Sequence, residues 1–263
     1  MAFHVRSNSL PSKSHPVISN VEDHICRLKS YQEASVSTSS ICTNLASLGD
    51  LHEEINNLIQ LPSVQQALLD ENQASELLDG SLNLVDICAT ARDVLLLTKE
   101  SVEELESSLR RNKGIDTYMN SRKKIDKIVN KCIKNLKSFD QCSAVVLNKD
   151  SNLKAIASML KEAQAIGFSV LKSALKIFAS KQKAWSLVSK FSRSSRVHSQ
   201  TEEELYALNI HKLRKDMDTL SGQNITKQLK ESEMIFQELE ENLEAFFRSL
   251  VKTRVSLLNV LNH

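Results

Sequence analysis

The side chains able to do chemistry in this chain are scattered rather than gathered. His24 and Cys26, in the tripeptide HIC, form the best local candidate for a metal centre, because imidazole and thiolate both bind zinc-like ions. Such a site needs a second ligand pair at matching spacing. None follows, so two incidental residues are the plainer reading. Nucleophilic catalysis needs a base beside the nucleophile, usually presented at a strand-to-helix turn, and no such context is visible. The five glycines (Gly49, Gly80, Gly114, Gly167, Gly222) stand alone, so there is no glycine-rich loop to cradle a phosphate. Paired carboxylates such as Glu103 and Glu104, or Glu202 to Glu204, suit solvated helix faces or helix starts, and Thr201 with Glu204 forms a capping box. The expectation is a protein that is not an enzyme, with no catalytic residue, cofactor or metal.

Two basic segments say more. In SRKKIDKIVNKCIKNLK, Arg122, Lys123, Lys124, Lys127, Lys131, Lys134 and Lys137 stand against a lone Asp126. Lys124, Lys127, Lys131 and Lys134 share one helical face, a pattern suited to phosphates or an anionic membrane surface. No aromatic residue interleaves with them, which argues against nucleic acid. The plainer expectation is a solvated face opposing acidic neighbours such as QELEENLE.

The second segment, SALKIFASKQKAWSLVSKFSRSSRVHSQ, lies in a stretch from Ala163 to Thr201 without an acidic residue. Lys172, Lys176, Lys183 and Lys190 fall close to one helical face. Phe178, Trp185 and Phe191 take the first, eighth and fourteenth positions of an anchor pattern resembling calmodulin-target helices, which makes calmodulin a candidate partner. The same segment, residues 172–191, suits an anionic membrane with tryptophan at the interface. The ordinary alternative puts Phe178 and Trp185 in a core and the lysines in water. Ser194, Ser195 and Ser199 in the adjoining stretch, and Ser9 in RSNS, are candidate phosphorylation sites. Added negative charge beside the basic segment opposes an acidic partner.

The elements that must hold these residues are helices. A chain of 263 residues can bury a substantial core, yet it has only 5 glycines and 3 prolines, too few for a many-turned β fold. Pro11, Pro16 and Pro62 all lie in the first quarter, so nothing of that kind interrupts a later helix. A net charge of +2 excludes the strong whole-molecule field of a dedicated nucleic-acid binder. Cys26, Cys42, Cys88, Cys132 and Cys142 form no CxxC pair and suit free thiols in a reducing compartment. No window reaches the roughly 18 to 20 apolar residues of a membrane span, nor does the N-terminus hold a secretory signal. The expected location is the cytoplasm, with plastid, nucleus and membrane surface as alternatives.

Residues 1–40 are serine-rich without sustained periodicity, which predicts a disordered leader. The opening nineteen residues, basic and free of acid, formally resemble a transit peptide, although a flexible tail is the plainer reading. Residues 41–263 carry helical periodicity and predict a single domain. ICTNLASLGDLHEEINNLIQLP presents Leu45, Leu48, Leu51, Ile55, Leu58 and Ile59 as a stripe ended by Pro62, and SVQQALLD follows with Ser63 as a cap. A long seam then runs through Ala74, Leu77, Ser81, Leu84, Cys88, Ala91, Leu95, Thr98, Val102, Leu105 and Leu109 in alternating steps of three and four. Apolar residues beside it (Leu78, Val85, Ile87, Val94, Leu96, Leu97) predict a central helix with several neighbours. The same spacing recurs from Ile115 to Phe139, from Leu153 to Ile177 and from Ile225 to Val260. The last helix gains Phe247, Val251, Val255, Leu258 and Leu261 off its seam, which predicts a C-terminus plugged among the other helices. The fold class is all-α: an elongated antiparallel bundle of five or six helices with coiled-coil-like packing.

Several blocks together resemble a known family: MAFHVRSNSLPS, DLHEEINNLIQLPSVQQAL, ELLDGSLNLVDIC, RDVLLLTKESVEELESSLRR, SRKKIDK, WSLVSKF and LVKTRVSLLNVLNH. They are similar to the plant-specific domain of unknown function 241, related to the BYPASS group, over essentially the whole chain. The resemblance implies a plant protein, helical throughout, with no established enzymatic activity and a loose tie to root and shoot development. It carries over no catalytic residue and names no partner. The function expected is a non-enzymatic interaction or scaffold role in development or stress signalling. The alternative is a calmodulin-responsive or peripheral membrane protein acting through residues 172–191.

Overall fold

In the computed structural model, residues 15–32, 37–68, 71–111, 116–140, 152–178 and 220–261 are described, and they form seven helices with no strand among them. The leader expected over residues 1–40 is corrected first, since Pro16–Gln32 is a helix, α1. Pro16 opens it, where a missing N–H costs nothing, and the Ile18 N–H donates to the His15 carbonyl at 2.8 Å. Val21, Ile25 and Leu28 are buried against its neighbours α2 (Thr38–Ile59) and α6 (Asn152–Phe178). Serine-rich flanks concealed this stripe of steps four and three.

Helix α2 starts three residues before the expected Ile41. Ser37 accepts from the Ser40 N–H at 3.0 Å while the Ser40 hydroxyl accepts from the Ser37 N–H at 2.9 Å, so a reciprocal cap fixes the start. Helix α3 (Pro62–Leu68) begins on proline, which corrects Ser63 as its cap. The Val64 and Gln65 N–H groups both donate to the Leu61 carbonyl, at 2.9 and 3.0 Å.

The remaining helices are α4 (Glu71–Arg110), α5 (Asp116–Asp140), α6 and α7 (Leu220–Leu261). Among the described side chains, each buries most of the seam its spacing predicts. In α4 every seam residue from Leu77 to Leu105 is buried, whereas Leu96 and Leu97 lie on the exposed side, so its stripe is narrower than expected there. Helix α4 packs on α5, α6 and α7, and α7 packs on α2 and α4.

Helices consecutive in a bundle reverse direction, so alternate helices run parallel. Glu76 pairs with Lys161 and Leu84 meets Gly167, so α4 and α6 advance together. His52 meets Thr253 and Asn56 meets Ser256, so α2 and α7 do too. Between α4 and α7 the order reverses: Leu78 meets Arg254, Cys88 meets Leu243 and Lys99 meets Glu240.

Gly167 lets α6 approach α4 closely. A Cβ there would lie 3.1 Å from both methyls of the fully buried Leu84.

The C-terminal expectation needs revision. Leu243, Phe246, Leu250 and Leu257 are buried, each contributing about 1.5 to 3 kcal/mol relative to exposure. Val251 and Val255, however, are 38% and 49% exposed, so α7 is held along one side and is not enclosed all round. Among the described residues, no helix is long and apolar enough to cross a membrane.

Candidate functional site

The residues singled out as candidates divide sharply. Lys183, Trp185, Lys190, Phe191, Ser9, Ser194, Ser195 and Ser199 lie outside the described residues. Of the other three, Lys176 is exposed, Lys172 is half-buried, and Phe178 is 1% exposed at the end of α6. Phe178 is therefore a core side chain, and an anchor role for it on a surface helix is corrected. Its carbonyl accepts a 2.7 Å hydrogen bond from Arg122 Nη2, which ties the start of α5 to the end of α6.

The HIC pair is also split by its helix. His24 is buried, with Nε2 at 2.9 Å from the Ser47 hydroxyl and Nδ1 at 3.2 Å from Glu54 Oε2, while Cys26 is exposed. Among the described residues no three metal-ligating side chains gather.

The lysine helix changes most on folding. Helix α5 rests on α4 and α6 through Arg122, Ile125, Val129 and Leu136, all buried. At 3.6 residues per turn, Lys124, Lys127, Lys131 and Lys134 fall on the opposite side, and all four are exposed, as is Lys123. Asp126, the one acid between Arg122 and Lys134, turns toward Arg122 at 3.7 Å instead. The acids expected to oppose this row are engaged elsewhere: Glu240 pairs with Lys99 and Glu244 with Arg92, both on α4. No ion pair to Lys123, Lys124, Lys127, Lys131 or Lys134 exists among the described residues. Five positive charges thus project into solvent without a neutralising partner among the described residues.

A second polar feature lies inside, and its pattern was not read from the sequence. His52, on α2, faces α7, with its ring 5.5 Å from that of Phe246 at 64°, edge to face. The Thr253 hydroxyl lies 3.0 Å from both the Ser249 carbonyl and His52 Nδ1, so it ties the ring to α7. Buried Nε2 has no partner among the described residues. Burial pushes the His52 pKa down from 6.5 to about 4. The adjoining cavity, lined by Ser81, Leu84, Leu160, Gln164, Leu250 and others, holds about 10 Å³, the size of one water and far below a small-molecule site.

These helices carry the segment that a family model described as Protein BPS1 matches, residues 44–260. The chain belongs to the BPS1 family. This is the plant-specific, BYPASS-related family to which the sequence blocks are similar. The BPS1 match spans α3 to α6 completely, all of α7 but its last residue and α2 from residue 44 onward, and leaves α1 outside. Membership marks the protein as related to plant development without specifying a molecular function, and BPS1 is not a known enzyme family. Neither a curated protein nor a solved structure matches the chain.

Proposed function

We propose that this BPS1-family protein is a non-enzymatic interaction or scaffold protein acting in root and shoot development or stress signalling, from a cytoplasmic location. The observation that carries the reading is the exposed lysine row of α5, which pairs with no acid among the described residues. The helical seams are spent on one another, so the surface is what remains for recognition, and a concentrated charge of one sign favours association with an opposite one. Exposed lysines that merely solubilise a surface are normally interspersed with acids.

The alternative, calmodulin or membrane binding through residues 172–191, keeps the exposed Lys176 but must do without Phe178 as an anchor. Engaging that ring would mean withdrawing a fully buried side chain from between the helices, at a cost of about 1.5 to 3 kcal/mol or more.

Proximity labelling in plant cells tests the proposal. The wild type and a Lys124→Gln, Lys127→Gln, Lys131→Gln, Lys134→Gln variant are compared, with the label at the N-terminus so that α7 is undisturbed. A set of neighbours that depends on the four lysines is expected; an identical set for both proteins would refute the proposal.

A further inference from the structure

The α5 row also carries information about the kind of surface it meets, an inference that rests on the interaction reading above. Lys124, Lys127, Lys131 and Lys134 extend over about 15 Å along the helix, at 1.5 Å per residue. They stand opposite the stripe that α5 buries on α4 and α6, so the row lies along the outer side of the helix. A flat partner reaches all four ammonium groups at once.

The chemistry of the row narrows the choice. Every charge in it is lysine, a compact point charge without the planar fork with which arginine grips one oriented phosphate or carboxylate. Such a row suits many mobile anions better than a single fixed one. Ile128, 37% exposed, stands one turn from Lys124 and Lys131 and supplies an apolar group at the depth of a lipid interface. No aromatic side chain lies between Lys123 and Lys134 to stack on bases, which disfavours single-stranded nucleic acid.

The geometry points to docking of the folded bundle on an anionic phospholipid membrane through α5, with lipid headgroups as the ligands of Lys124, Lys127, Lys131 and Lys134. The attraction is electrostatic, confined to one face and additive over the lysines. It weakens as the Debye length contracts from about 14 Å at 0.05 M salt to about 5 Å at 0.3 M.

Co-sedimentation of the purified full chain with vesicles tests this. Vesicles of phosphatidylcholine with phosphatidylserine are expected to bind it, and phosphatidylcholine alone is not. Each Lys→Gln exchange should weaken partitioning about five-fold and the quadruple variant several hundred-fold. Raising salt to 0.3 M should release the wild type, a measurement that needs no variant and stands even if the quadruple variant fails to fold. Equal binding to both vesicle types, salt-insensitive binding, or a folded quadruple variant binding like wild type overturns the inference. So does tighter binding to a poly-glutamate peptide or to duplex DNA than to the anionic vesicles. If vesicles are not bound while the neighbours in cells still depend on the lysines, the lipid assignment falls and the interaction reading stands. If vesicles are bound and the neighbours are unchanged, the reverse holds.

Discussion

Acid should loosen this bundle in part through His52, by an amount that can be separated from the rest. Its ring meets Phe246 and Thr253 of α7 and lines a small cavity with Leu250 and Leu257 of α7, Ser81 and Leu84 of α4, and Leu160 and Gln164 of α6, none of them acidic. Arg254, which donates to the Ser81 hydroxyl at 3.0 Å, places further positive charge on that side. The imidazolium carries a proton on both ring nitrogens, and no acceptor waits at Nε2 among the described residues. Above pH 6.5 the imidazole is neutral in both the folded and unfolded chains, and stability is unaffected. As pH falls below 6.5 the unfolded chain takes up a proton that the folded chain refuses until about pH 4, so stability is lost across that window. The full shift is worth about 3 kcal/mol at 1.36 kcal/mol per pH unit, and about 2 kcal/mol of it is gone by pH 5. Urea unfolding of wild type and His52→Gln at pH 7.5 and 5.0 measures this directly. The variant is expected to be less stable at pH 7.5 yet to lose about 2 kcal/mol less on acidification, because the other histidines and the carboxylates contribute equally to both chains. Parallel losses, within about 0.5 kcal/mol, would refute the reasoning.

Two other outcomes follow from the packing. Gly167→Val is expected to lower unfolding free energy by about 1 to 3 kcal/mol by wedging methyl groups against the enclosed Leu84, and a variant as stable as wild type would mean that α6 does not approach α4 so closely. Burial, aided by the charge of Glu238, pushes the Cys42 thiol up to about 11, and burial pushes Cys88 up to about 12. Iodoacetamide at pH 8, read by mass spectrometry, should therefore modify the exposed Cys26 at least about a hundred-fold faster than either of them, and comparable labelling would contradict the burial.

Much of the fold was legible in the residue spacing. The seam from Leu77 to Leu105 needed no structure to identify it, because a helix places every third and fourth residue on one side and a shared core demands that they be apolar or small. Helix α1 was missed for a compositional reason: Val21, Ile25 and Leu28 form a short stripe between serine-rich flanks, and a short amphipathic helix holds only when a neighbour covers its apolar face. Val251 and Val255 erred the other way, since an apolar side chain shows that a residue can be buried without showing that another helix is there to bury it.

The candidate site shows the same boundary. Periodicity alone placed Lys124, Lys127, Lys131 and Lys134 on one face, because their angular separation is a property of the helix. Whether that face would be neutralised was a tertiary question, decided when α7 packed on α4 and Glu240 and Glu244 met Lys99 and Arg92 instead of the lysines of α5. His52 tells the same story, its buried state arising only when Phe246 and Thr253, some two hundred residues away, close over it. Local spacing determines which side chains share a helix face, since that depends on backbone geometry over a few residues. Which charges find partners and which remain exposed depends on how distant helices dock, and only the assembled bundle decides it.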